Sequence, residues 1–337
     1  MVWFISILVM CTLLTLLFGY ILARLGRRFI REFTRPGMTV EQGTAVWGGW
    51  TFPEAMDEPD SLLQRPVTFR TADGVLLRGT FWAQRHSAPT IIISHGFHLP
   101  SRFFRSVAAL EYAHGANVFL FDYRGHGESS LVPTTCGNAE LKDLLAAIEI
   151  ATSQIETIST QVYIHGFSMG AAVALLLPPH AGIAGIIADS AYARLDDMIH
   201  TIMLQIFDEE TAAWRGLARK ARAFLPALCR LTLFSGRVLF HAHYRQSLIA
   251  RPDRRIGARA DAKEAISHAP ILLIHAENDP LIALRHAHRL VALARAAGRS
   301  IEVYYTPCAI HCGSYGHNPQ QYMTLLRTFT ALGEGTF

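Results

Sequence analysis

The chain has 337 residues, 50% hydrophobic and 17% charged, with a formal net charge of +4. That is enough for one sizeable core with an insertion, or two small domains; no basic run with interleaved aromatics appears over 65–337, and the charge is read as a handful of juxtamembrane arginines and not a nucleic-acid surface. Five scattered cysteines, an odd number, exclude a disulfide framework, and Cys308 and Cys312 around His311 lack the second half that a zinc site needs, so no metal is expected.

In chain order, the first element is an uncharged apolar run from Val2 to Ala23. At about 1.5 Å per residue it is long enough to cross a hydrocarbon core of about 30 Å. No Lys or Arg precedes it, and Leu22-Ala23-Arg24 is a poor cleavage site, so residues 1–23 are predicted to be an uncleaved transmembrane helix. Arg24, Arg27, Arg28, Arg31 and Arg35 come directly after it. By the positive-inside rule the rest of the chain faces the cytoplasm, as in a single-pass protein of a bacterial inner membrane. Those arginines also suit anionic headgroups. Residues 24–64 read as a juxtamembrane stem, punctuated by Pro36-Gly37, Gly48-Gly49 and Pro53. Its Trp47, Trp50 and Phe52 fit an interfacial belt or a loop packed on the domain equally well.

A domain over 65–337 begins with two strand-like runs, Val67–Arg70 and Val75–Phe81, joined by the hairpin signal Asp73-Gly74. Strands then alternate with helical segments, which implies βαβ units and a parallel sheet. Thr90–Ile93 runs into Ser94-His95-Gly96-Phe97, and Asn117–Phe121 into Asp122-Tyr123-Arg124-Gly125-His126-Gly127-Glu128-Ser129. Helices are expected over Ser101–His114, Asn138–Gln154, Met169–Leu177, Leu281–Ala297 and Pro319–Leu332. Gln161–His165, then Gly166-Phe167-Ser168-Met169-Gly170, then Ala171–Leu177 make a strand, a G-x-S-x-G turn and a helix. A serine there sits on a tight bend with its Oγ pushed outward, and a Cβ at either flanking glycine would crowd strand against helix. Ile183–Ile187 is another buried strand.

The stretch 191–267 exceeds what a crossover needs and reads as helical pieces, with Ile199, Ile202, Met203, Leu204, Ile206, Phe207, Phe224 and Leu225 supplying apolar surface. Ile271–His275 then ends in Ala276-Glu277-Asn278-Asp279-Pro280, an acid on a turn, and Ile301–Tyr305 precedes Ala309-Ile310-His311.

Taken together, the HGF loop, the DYRGHGES segment, the GFSMG turn, the HAENDP turn and the late histidine resemble the α/β-hydrolase superfamily, over about Pro66 to the C-terminus. The likeness is nearest to its membrane-anchored or lipase-like serine hydrolases. It implies an α/β-hydrolase fold, a mostly parallel sheet flanked by helices, with a helical cap at about 191–267. It implies Ser168 as nucleophile, Asp279 as orienting acid and His311 as base, in that chain order. The backbone N–H groups of Met169 and Phe97 would form the oxyanion hole. Ser314-Tyr315, Asn318-Pro319 and Tyr322 match the residue types found after the histidine in such families and favour His311 over His317. Glu277 and Asp189 are the rival acids, and His95, His126, Asp122 and His165 are expected to be structural.

Serine at the turn argues against carboxylate-nucleophile chemistry. The expected function is hydrolysis of a carboxylic ester through an acyl-enzyme and without a cofactor, with a lipid or long acyl chain as one option. The expected partners are a small-molecule or lipid acyl ester and a membrane. A serine aminopeptidase or acyltransferase on the same fold is the alternative, with Asp208, Glu209 and Glu210 available to hold a substrate amine; an inactive membrane adaptor is the remaining one.

Overall fold

The computed structural model describes residues 2–33, 63–179, 183–212, 215–216, 220, 222–257 and 269–330. The expected stem between 34 and 62 and the end of the expected insertion, 258–267, lie outside them. In chain order the elements are α1 (Val2–Phe33), β1 (Leu63–Arg70), β2 (Leu76–Ala83), β3 (Ala88–Ser94), α2 (Arg105–Ala113), β4 (Asn117–Phe121), α3 (Glu140–Thr152), β5 (Thr157–Phe167) and α4 (Met169–Ala174). Then come β6 (Ile183–Asp189), α5 (Leu195–Thr211), α6 (Leu225–Tyr244), α7 (Pro252–Ile256), β7 (Ile271–Ala276), α8 (Arg285–Ala296), β8 (Ile301–Thr306), α9 (Ser314–His317) and α10 (Pro319–Thr330). The chain divides into two compact units, one of Pro36–Leu195 with Ile249–Phe337, the other of Met1–Arg35 with Asp196–Leu248.

The larger unit is built on one eight-stranded sheet in the order β1-β2-β4-β3-β5-β6-β7-β8. β1 and β2 pair antiparallel, as do β2 and β4, and every pairing from β4 through β8 is parallel. The apolar runs explain the order. Ile91, Ile92 and Ile93 of β3, Val162 and Ile164 of β5, Ile186 and Ile187 of β6, and Ile271–Ile274 of β7 are all buried, as strands covered on both faces must be. The central strands therefore end together. Phe167 pairs with Asp189 and Asp189 with Ile274, so the segments after β5, β6 and β7 leave the same carboxyl edge side by side. In open parallel sheets that edge is where ligands bind.

The Asp73-Gly74 hairpin forms, with Gly74 at φ +83° and its N–H on Thr71 O at 2.8 Å. Asp73 does more than turn the chain. Its carboxylate takes 3.0 and 2.9 Å bonds from the Arg124 guanidinium and a 3.0 Å bond from Lys142 Nζ.

The smaller unit is helical. α1 runs on past Ala23 through the arginines to Phe33. Its Leu22 carbonyl accepts the Ser235 hydroxyl of α6 at 3.2 Å. A Cβ on Gly26 would lie 2.9 Å from Ser235 Oγ and 3.0 Å from Gly236 N, so small residues let the two helices cross closely. Ile30 of α1 closes that contact against Phe240 and Leu248.

Candidate active site

Ser168 stands between β5 and α4 with φ 51° and ψ −111°, a strained conformation for a residue with a Cβ. The glycines around it make the bend possible. A Cβ on Gly166 would fall 2.6 Å from the Ala171 backbone, and one on Gly170 would fall 1.9 Å from the Ser94 carbonyl oxygen. The serine N–H donates to Asp189 O at 2.9 Å, which pins the bend to the end of β6.

Asp279 lies after β7 on the turn the sequence predicts. Its Oδ1 accepts the N–H groups of Leu281 and Ile282 at 2.8 and 2.9 Å. Its Oδ2 lies 2.7 Å from Nδ1 of His311, which comes after β8. Burial works against the carboxylate's charge, but the His311 ring, its hydrogen bond and the Ile282 N–H outweigh burial and hold the Asp279 pKa below its ordinary value. With Nδ1 committed to Asp279, the second ring nitrogen of His311, Nε2, is also buried. The next residue, Cys312, donates its N–H to Ser190 Oγ at 3.2 Å, one residue from the Asp189 carbonyl that holds the Ser168 N–H, so the His311 loop and the serine bend are fastened to the same end of β6. Of the rivals, His317 and Glu277 are exposed, and Asp189 bonds Ser190 and Tyr322.

Phe97 lies on the loop after β3. A Cβ on neighbouring Gly96 would be 3.6 Å from Ser168 Cβ, so this loop lies against the serine. Three groups shape it. His95 accepts the Tyr123 N–H at Nε2 (2.9 Å) and donates Nδ1–H to Gly96 O (2.8 Å). Burial first, then the nearby His126, pushes the His95 pKa down to about 3, so its ring is neutral. His126 accepts the His98 N–H at 3.0 Å, and burial lowers its pKa too. Asp122 accepts N–H groups from Ser101 and Glu128 at 2.6 and 2.8 Å. Met169 is the first residue of α4, directly after the serine, and its N–H is one that its own helix cannot pair.

Sequence reasoning missed what lies beneath. Ser190 and Cys312 share with Ser168 a positive φ, 56° and 54°. Ser190 accepts the Cys312 N–H at 3.2 Å. No short motif announces a bond between residues separated by 122 positions. The one available signal was a polar pair, Asp189-Ser190, at the end of an otherwise apolar strand.

Residues 91–322 match the family model described as alpha/beta hydrolase family. The YfhR protein of Escherichia coli K12 is 26% identical over 263 residues, covering 72% of this chain and 72% of that protein. Among solved structures, the Pyrococcus furiosus esterase Pf2001 superposes with a TM-score of 0.62 at 23% identity, over 89% of this chain and 99% of that one. An acylaminoacyl peptidase superposes with a TM-score of 0.53 at 16% identity, over 82% of this chain and 42% of that one. At such identities the two structures speak to the fold alone.

Proposed function

The chain belongs to the alpha/beta hydrolase family, and from that premise we propose that it is a serine hydrolase of carboxylic esters, with Ser168, Asp279 and His311 as its triad. The observation that carries this reading is the 2.7 Å contact between Asp279 Oδ2 and His311 Nδ1. A carboxylate on Nδ1 selects the tautomer whose Nε2 can take a proton, and stabilises the imidazolium that results. His311 Nε2 removes the Ser168 proton as Oγ attacks the acyl carbonyl. The oxyanion is held by the N–H groups of Met169 and Phe97, each worth about 3–4 kcal/mol by analogy with other oxyanion holes. The alcohol leaves with the proton from His311. Water, activated by the same ring, then cleaves the acyl-enzyme.

A lipid or long acyl ester suits the apolar surface of the smaller unit and the proposed anchor in α1. A peptidase or acyltransferase would use the same triad. The acidic clamp that a peptidase wants is weakened, since Asp208 is already paired with Arg222 at 2.6 Å.

A fluorophosphonate probe tests the nucleophile. The intact chain should label and Ser168→Ala should not; an unlabelled wild-type protein would leave only the adaptor reading. A panel of p-nitrophenyl esters from short to long chain tests the substrate. Turnover confined to short acyl groups would remove the lipid reading, and preferential cleavage of aminoacyl amides would favour the peptidase.

A further inference from the structure

Behind Ser168 and His311 runs a line of buried polar groups that the proposed chemistry leaves unused. It begins at Glu111 on α2, whose Oε1 is 3.2 Å from His165 Nδ1. His165 Nε2 lies 3.0 Å from the Tyr322 hydroxyl oxygen. That hydroxyl donates to Asp189 Oδ2 at 3.0 Å, so its oxygen is the acceptor toward His165. Ser190 Oγ donates to Asp189 Oδ1 at 2.9 Å and accepts the Cys312 N–H at 3.2 Å. The main-chain carbonyl of Asp189 holds the Ser168 N–H at 2.9 Å. Two adjacent residues at the end of β6 thus grip the nucleophile through backbone and the histidine's neighbour through a side chain. His165, Tyr322, Asp189 and Ser190 are all fully enclosed.

Such an arrangement is costly unless it does something. Burying a carboxylate is unfavourable, and apolar residues would fill the space at less cost. Burial is the largest influence on Asp189 and pushes its pKa up to about 6, against the pull of Ser190, Tyr322 and the rings of His165 and His311. The backbone is strained at the same joint, with Ser168, Ser190 and Cys312 all at positive φ. Strain and buried charge together at one point are what a function-bearing joint shows.

We propose that Asp189 and Ser190 are positioning residues that fix the His311 imidazole against Ser168, braced from behind by Tyr322, His165 and Glu111. Asp279 holds the ring at Nδ1. The Ser190 hydroxyl holds the main chain one residue later, at Cys312. The inference rests on the triad reading, and its test separates the two.

Ser190→Ala and Tyr322→Phe, made in the full chain, each remove one hydroxyl from the line and leave the packing in place. Misplacement of a reacting group by about 1 Å can cost about a hundredfold, so kcat for a p-nitrophenyl ester is expected to fall about ten- to a hundredfold with KM within about twofold. Fluorophosphonate should still label Ser168, but more slowly by the same factor. Asp189→Asn supplies the readout that a merely structural brace would not move. The groups facing Asp189 are Tyr322 from α10, His165 from β5, His311 and Cys312 from the segment after β8, and Ser190 beside it. If its ionised form helps to hold the imidazolium, the acid limb of the wild-type kcat profile reflects two protonations and that of Asp189→Asn only one. Wild-type kcat in both hydroxyl variants, or a raised KM at constant kcat, overturns the proposal. So does an acid limb of unchanged slope in Asp189→Asn. A wild-type protein that fails to label sinks the triad instead.

Discussion

At Ser168 the backbone is bent so far that neighbouring atoms leave no room for error. Gly170→Ala would set a methyl carbon 1.9 Å from the Ser94 carbonyl oxygen, and both partners are main chain that cannot step aside. Overpacking of a close-packed interior costs about 1–3 kcal/mol or more, and here the upper end is expected, read as a lowered urea midpoint. Ser168→Ala removes only an oxygen from a strained site and should leave that midpoint unchanged or raise it, because active-site strain trades stability for activity. Asp279 gives a prediction with a sign. Its pKa is held below the ordinary carboxylate value in the folded chain. Its ionised form therefore stabilises the fold above the unfolded value of about 3.9, and that contribution fades as pH falls through the lower folded value. Asp279→Asn should lower the thermal midpoint at pH 6, and the gap to the wild type should narrow as pH falls below the unfolded carboxylate value of about 3.9 and through the lower folded one. Its kcat should drop about 10⁴-fold, as when a triad carboxylate becomes an amide.

Strands and turns carried most of what the sequence disclosed. The runs at Ile91–Ile93, Ile183–Ile187 and Ile271–Ile274 read as buried strands because they are apolar on both sides, and the sheet uses them so. The serine turn was legible because its glycines are required locally, by atoms within a few residues or on the adjacent strand. Long-range polar pairing stayed hidden. Nothing in the DYRGHGES segment says that Arg124 would be enclosed between Asp143 at 2.6 Å and Asp73 at 2.9 Å. Nor does anything near Tyr322 point to Asp189, 133 positions away. The Arg124 cluster ties the β1–β2 hairpin to α3, and burial sets its energetics. Burial raises the Asp143 pKa to about 6 even with the guanidinium pulling it down. Arg124→Met would strand that carboxylate, and breaking a buried pair from one side costs about 3–5 kcal/mol. Arg124→Met combined with Asp143→Leu should recover much of the loss in chemical denaturation. A double variant no better than the single would mean that Asp73 and Lys142, not Asp143, hold the cluster.

On the scale of the molecule, the open matter is where this hydrolase-family chain resides, and two helices bear on it. α1 exposes Trp3, Met10, Leu13, Leu16, Leu17 and Ile21, then carries Arg24, Arg27, Arg28 and Arg31 on its last turns. Among the described residues, Arg222–Tyr244, which includes α6, is by length and composition long and apolar enough to cross a membrane. One face of α6, with Cys229, Thr232, Leu233, Gly236 and Phe240, is buried, while Leu231, Phe234 and Val238 lie exposed on the opposite face. Large apolar side chains in such number mark a surface that meets something other than water. Arg230 and Arg237 within α6 and the paired Asp208 and Arg222 ahead of it make a full crossing by α6 costly, and we propose α1 as the span with α6 at the interface. If α1 spans, the positive-inside rule applied to Arg24, Arg27, Arg28 and Arg31 predicts that the larger unit follows them on the cytoplasmic side. The full chain should therefore pellet with membranes and resist carbonate extraction. Protease added to right-side-out vesicles should spare the sheet domain, and protease added to inside-out vesicles should digest it. Digestion in the right-side-out vesicles alone would reverse the orientation, and release by carbonate would mean that α1 rests on the bilayer without crossing it.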